Sequence, residues 1–337
     1  MRKNNFDILR LVLASLVMMF HIGGLANNNF LFHAPGDLAV KSFFVISGYL
    51  ISKSYLKNSN LLDYSKSRFL RIYPLYFVCV TACFLIGMML YSGGIGSYLH
   101  NGAAKYLASN LSFLTFLQPD LPGLFVDNYR NSAVNGALWT IKIEVMFYIS
   151  VPIIYGIIGK YLGNKRTVVV LSVLSLIASL LIEYVVDKYG LSASIKNQLP
   201  SLMIFFMAGA ALNFFNPSFL SWKYLPVICV ALYFYDANLI FKIIYPWAVA
   251  AFVYIIAFKT KPIQIHDGIG DLSYGIYIFH YPVIQFMYQF GMYNNFWVGF
   301  VCTVCAVIIL AYCSWHLMEK RLTSHSKPSK VPAIENA

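Results

Sequence analysis

Arg10 and His21 lie in one apolar run, within MRKNNFDILRLVLASLVMMFHIGG at the start of the chain. A titratable or charged side chain at bilayer depth costs about 2.5–3.5 kcal/mol even on insertion scales, so its presence points to function. Eleven residues at about 100° each make about three helical turns, which places both side chains on one face, about 16 Å apart along the axis. One helix then offers a guanidinium near one membrane surface and an imidazole deep towards the other. The guanidinium suits a phosphate or carboxylate. The imidazole suits proton abstraction from a hydroxyl, or transient acylation.

Glu144, in ALWTIKIEVMFYISVP, lies about two turns inside the outer end of its own apolar run, at a depth similar to that of His21. A carboxylate facing an imidazole would fix its tautomer and stabilise the imidazolium. The plainer reading is a structural partner for Lys142. Trp139, just before it, suits either an interface anchor or a pocket wall. Arg68 and Arg71 close a basic segment that begins at Lys53. They suit bidentate phosphate binding, although basic residues also mark any cytoplasmic loop. Arg10 belongs to the same surface, so a phosphate-bearing donor would be gripped from two sides. His280, in SYGIYIFHYPV, is a second histidine at membrane depth, expected to support a site or to join helices. His33, His100, His266, His316 and His325 are expected on solvated surface.

The elements that must position these groups are membrane helices. Of 337 residues, 59% are hydrophobic and only 11% charged, whereas soluble domains carry about 25% charged residues. The net charge of +12 is spread over short loops, so nucleic acid is not an expected partner. The six cysteines lie in apolar stretches, and Cys302 and Cys305 have no second ligand pair. They are expected to pack rather than to bind metal. The amino terminus imitates a signal peptide, but Asp7 and the spans that follow favour a retained first span.

Apolar runs recur at 8–26, 38–52, 72–91, 136–158, 167–186, 199–215, 224–236, 240–258, 272–290 and 296–317. The expected fold is therefore all-α and polytopic, with about ten transmembrane helices and both termini cytoplasmic. Eighteen of the 25 Lys and Arg residues then fall on the inner side, the asymmetry that membrane insertion imposes. The segment 92–135 is outer, and its NLSFLTFLQ run is amphipathic and too short to span. Residues 1–317 form one transmembrane domain, and 318–337 are expected to be a short, disordered cytoplasmic tail.

Taken in order, Arg10 and His21, FFVISGYLI at 43–51, RFLRIYP at 68–74, LWTIKIEVMFY at 138–148 and SYGIYIFHYP at 273–282 resemble the bacterial membrane-bound acyltransferase family 3. That resemblance implies transfer of an acetyl group from cytoplasmic acetyl-CoA to a hydroxyl of a cell-surface polysaccharide or lipid-linked sugar, in the bacterial inner membrane. It implies catalytic roles for His21 and Glu144 and donor binding by Arg10, Arg68 and Arg71. Trp139, His280, Tyr73 and Ser47 become substrate-binding or supporting positions. Acetyl-CoA would be a substrate, with no tightly bound cofactor and no metal. The chain departs from the family at Val40-Lys41-Ser42, where an acidic residue is common, and it ends too soon for the esterase-like domain of some relatives. Two other functions fit the buried polar groups: a proton-coupled transporter or flippase of a lipid-linked saccharide, and a scaffold glued by them.

Overall fold

Where the sequence carries apolar runs, the computed structural model carries helices; it describes residues 4–128, 131–263 and 269–324. Among these no strand occurs. Ten principal helices follow in order: α1 (Phe6–Leu25), α2 (Gly36–Lys57), α3 (Leu61–Leu90), α4 (Trp139–Leu162), α5 (Asn164–Tyr189), α6 (Leu199–Ala211), α7 (Leu225–Tyr233), α8 (Leu239–Phe258), α9 (Ser273–Gln289) and α10 (Phe296–Thr323). Six of them, α1, α3, α4, α5, α8 and α10, are long and apolar enough to cross a membrane. The other four fall on the remaining apolar runs but differ in kind. Helix α7 has nine residues, about 13 Å of a hydrocarbon layer near 30 Å thick. Helix α6 is short but almost wholly buried, and α2 carries Asp37, Lys41, Lys53 and Lys57.

Helix α1 is central. Its buried residues Leu9, Leu13 and Val17 recur every four positions, and it packs between α2 and α9. Asn5, 2% exposed, pins its start: the backbone N–H donates to Ala257 O (2.9 Å), and the side chain reaches Lys261 O (3.0 Å). The start of α1 therefore meets the end of α8 at what we term the inner end of the bundle. His21 lies at the opposite, outer end. There Gly36, which opens α2, packs against the Phe20 ring.

Helices α2 and α6 touch through their backbones. A Cβ on Gly48 would strike the Phe206 carbonyl, and one on Gly209 would strike that of Val45. Small residues at such a crossing let helices gain packing that lipid cannot supply.

Two expectations need correction. Helix α3 starts at Leu61, not near 72, because Asn60 caps it by accepting from Leu62 N (2.9 Å) and Asp63 N (3.2 Å). Arg68 and Arg71 therefore project from one helix face, three residues apart, rather than from a loop. The expected tail at 318 is helical as far as Ser324. A π-helical stretch at Trp315–Glu319 leads into it. The rest of that tail, with His325, and also His266, lies outside the described residues. The outer segment folds onto α3: Tyr76 OH donates to Asn110 O (2.7 Å) and Tyr98 OH to Phe84 O (2.8 Å).

Candidate active site

The inner end of the bundle opens into a cavity of about 540 Å³. Its mouth carries Arg10 from α1, Arg68 and Arg71 from α3, and Lys320 from the last turn of α10. Its deep end is built from Ser47, Thr140, Glu144 and Tyr277. Both ends of the described chain thus reach the same end of the bundle.

The basic residues are not equivalent. Asp271, 7% exposed, sits two residues before α9 and accepts from Ser273 Oγ (2.6 Å) and Ser273 N (3.3 Å), the first residue of that helix. Arg71 Nη2 lies 2.7 Å from its Oδ2, and Arg10 Nη1 lies 3.6 Å from the same oxygen. Burial opposes ionisation of Asp271, but Arg71 and then Arg10, with the hydrogen bonds from Ser273 and Arg71, hold the carboxyl well below the usual carboxylate range. Arg10 also approaches Asp7 at 3.8 Å. Arg68 forms no ion pair among the described residues, and its buried Nε has no hydrogen-bond partner. Its guanidinium lies 5.7 Å from the ring centres of both Tyr64 and Tyr148. Arg68 is thus held in place by aromatic faces while its charge stays uncompensated.

His21 faces His280. Its Nδ1 lies 2.8 Å from His280 Nε2, with the rings 5.0 Å apart and inclined by 23°. His280 is fully buried, and its Nδ1 lies 3.1 Å from the Ile276 carbonyl one turn back. A carbonyl only accepts, so His280 Nδ1 carries the proton and its Nε2 the lone pair. His21 Nδ1 must then donate, which leaves the lone pair of neutral His21 on Nε2. Tyr277, from the deep end of the cavity, brings its ring to 5.8 Å from that of His280. The two histidines thus stand one helical turn beyond the cavity, on its outer side.

Glu144 does not pair with His21, contrary to expectation. It accepts from Tyr148 OH at 2.6 Å, with Ser47 Oγ at 3.5 Å, in the cavity wall. The reason is azimuth: α4 packs against α2 and α6, whereas the helix facing His21 is α9. Ser47 shares this wall. Trp139 is partly buried at the start of α4 and is not among the cavity residues. Tyr73 also points elsewhere, stacked on Phe69 at 4.8 Å. Asp271, Tyr148 and Lys320 were not anticipated. Of these, only Asp271 carried a sequence signal, the Asp-Leu-Ser start of a helix.

A family model described as an acyltransferase domain matches residues 3–316. The O-acetyl transferase of Shigella phage Sf6 is 28% identical, over 97% of this chain and 98% of its own. Nodulation protein 10 of Rhizobium leguminosarum bv. viciae is 27% identical, over 94% of this chain and 92% of its own. O-acetyltransferase OatA of Staphylococcus aureus is 23% identical, over 84% of this chain but 52% of its own length. No solved structure matches. With the matched residues running from before α1 into the last turns of α10, the chain belongs to acyltransferase family 3.

Proposed function

We propose that this protein is a membrane O-acetyltransferase that moves an acetyl group from acetyl-CoA to a hydroxyl of a cell-surface polysaccharide or lipid-linked sugar. The observation that carries the reading is a basic inner cavity that ends one helical turn short of the His280–His21 pair. O-acetyl transfer stands in the names of the phage and staphylococcal relatives and supports it. In this reading all ten helices lie in a bacterial inner membrane, and both termini face the cytoplasm.

Arg68, with Lys320, takes the donor phosphates at the cytoplasmic mouth, while Asp271 holds Arg71 and Arg10 in position beside them. A pantetheine arm spans roughly 15–20 Å if scaled like an extended chain. From Ser273, at the start of α9 beside Asp271, to His280 is seven helical residues, about 10 Å. The arm therefore reaches past Tyr277 towards His21. Glu144 and Ser47 line the path of the arm.

The acceptor approaches from the outer side. His21 Nε2 takes the hydroxyl proton as the oxygen attacks the thioester carbonyl. The carbon–sulfur bond breaks, and the departing CoA thiolate recovers the proton from His21. His280 Nε2 accepts from His21 Nδ1 throughout, so the imidazolium keeps its orientation.

The test is on surface polysaccharide from cells with the protein, without it, and with its His21→Ala variant. Base-labile O-acetyl signals by NMR are expected only with the wild type. Unchanged acetylation together with altered polysaccharide export would overturn the reading in favour of a transporter.

A further inference from the structure

The mechanism above gives the attacking hydroxyl a base, and the base a partner, but it leaves one charge unserved. As the acceptor oxygen adds to the thioester carbon, the carbonyl π pair moves onto the carbonyl oxygen. An oxyanion formed at membrane depth needs a hydrogen-bond donor already fixed beside it. The cations of the inner cavity are too distant. Arg10 lies about 16 Å from His21 along α1, and Arg68, Arg71 and Lys320 share its end of the bundle.

Among the described residues three rings lie against that of His21: Phe20 at 5.5 Å, His280 at 5.0 Å and Tyr281 at 5.1 Å. Phe20 has no donor. His280 donates from Nδ1 to the Ile276 carbonyl and accepts at Nε2. Only Tyr281 has a proton to offer a ligand. It follows His280 on α9, is 4% exposed, and meets His21 edge to face at 74°. Tyr277, one turn nearer the inner end, lines the donor cavity, whereas Tyr281 does not. Its ring therefore occupies the next layer outward, with the two histidines.

Buried polar groups are normally hydrogen-bonded, and the neighbours of Tyr281 obey that rule. Tyr277 OH shares a hydrogen bond with Thr140 Oγ1 at 2.5 Å. Asn135 Nδ2 donates to Ile278 O at 2.9 Å, the carbonyl that Pro282 leaves without its helical partner. The Tyr281 hydroxyl has no hydrogen-bond partner among the described residues, yet it is not sealed in by protein. Gly136, just before α4, gives it room. A Cβ there would come within 2.7 Å of the hydroxyl and press equally closely on the ring. A buried, open, unpartnered donor thus stands against the proposed base.

We propose that Tyr281 is a catalytic residue of the transfer, its hydroxyl donating to the oxyanion of the tetrahedral intermediate while His21 holds the acceptor proton. The phenol keeps its own proton throughout. Its hydrogen bond strengthens as charge develops on the carbonyl oxygen and relaxes when the carbonyl re-forms and the carbon–sulfur bond breaks. This rests on the functional reading above, which supplies the thioester and the acceptor hydroxyl.

The experiment uses the purified full-length protein in detergent, with acetyl-CoA and surface polysaccharide from the source cells stripped of its acetyl groups by mild base. Tyr281→Phe removes the hydroxyl and keeps the ring. Because that hydroxyl has no partner in the protein, the variant should melt at the wild-type temperature. Its kcat should fall about 10²–10³-fold, the loss expected for one oxyanion donor, with the KM of both substrates nearly unchanged. Tyr281→Ala, which also vacates the ring's place against His21, should be at least as impaired. Wild-type kcat in Tyr281→Phe would overturn the proposal. A raised acceptor KM with kcat intact would also overturn it, since the hydroxyl would then bind the acceptor instead. A kcat loss matched by a lowered melting temperature would reduce the residue to a structural one. If wild type itself transfers no acetyl group, the functional reading falls and the proposal with it; an active wild type beside an equally active Tyr281→Phe removes the proposal alone.

Discussion

Arg71 Nη2 and Asp271 Oδ2 meet at 2.7 Å across 200 residues of sequence and join α3 to the start of α9. The same oxygen faces Arg10 of α1. One carboxylate therefore fixes the cavity mouth on three helices. Asp271→Asn leaves Arg71 without its hydrogen-bonded counter-charge and Arg10 with Asp7 alone, each guanidinium about a quarter exposed. Breaking a fully buried pair costs about 3–5 kcal/mol; with this exposure a loss of about 1–3 kcal/mol is expected. The melting temperature in detergent should fall, and the KM for acetyl-CoA should rise.

The acidity of Asp271 fixes a pH window. Its folded-state pKa lies below the unfolded value near 3.8. It thus contributes stability that is complete above that value and is lost as pH falls through the lower native one. Stability assigned to this pair should not change between about pH 5 and 8. A thermal-melt series for wild type and Asp271→Asn tests this: the difference between them should stay constant over that range.

In the proposed mechanism His280 acts through His21, whose Nδ1 lies 2.8 Å from its Nε2. His280→Ala removes the acceptor for His21 Nδ1 and lets the ring turn or change tautomer. We expect kcat to fall about 10²–10⁴-fold with little change in donor KM. His280→Gln, whose amide oxygen also accepts, should recover part of that loss. The double variant with His21→Ala should be no worse than His21→Ala alone, because the two residues form one unit.

Arg68 forms no ion pair among the described residues and rests on the rings of Tyr64 and Tyr148. Arg68→Ala should raise the KM for acetyl-CoA about ten- to hundredfold, the worth of a charge-assisted hydrogen bond, and leave kcat nearly intact. Arg68→Lys should not restore binding, because an ammonium lacks the planar fork and does not rest between two tyrosine rings in the same way. Steady-state kinetics at fixed ionic strength decides it.

Glu144 gives the sharpest contrast between sequence and structure. Were it bound to His21, Glu144→Gln would shift the pH profile of kcat. With Glu144 on Tyr148 instead, the profile should keep its midpoint while donor KM changes. A displaced midpoint would restore the His21–Glu144 pair.

That contrast shows what a sequence reveals. Apolar length locates helices, and all ten apolar runs fall on helices. Periodicity then gives the depth of each polar group, so Arg10 and His21 stand at opposite ends of α1, as their spacing requires. It does not tell which neighbour a face meets. Glu144 and His280 both lie in helices that reach the outer half, and only packing made His280 the partner. Asp271 was overlooked for another reason: it sits outside every apolar run. Arg68 and Arg71 were assigned to a loop because α3 extends past the hydrophobic stretch on a polar, capped turn. The bulk of the frame was readable from hydrophobicity. Pair geometry was not.

The backbone contact between α2 and α6 at Gly48 and Gly209 has a thermodynamic consequence. Helix α2 carries Ser47 in the inner cavity and Lys41 near the outer end. Backbone-to-backbone contact at these two glycines leaves α2 no side chain there to repack, so we expect it to stay fixed when either end is occupied. Donor and acceptor should therefore bind in random order, each with the same affinity whether or not the other is present. A coupling factor near one, read from a two-ligand titration, is the expected signature.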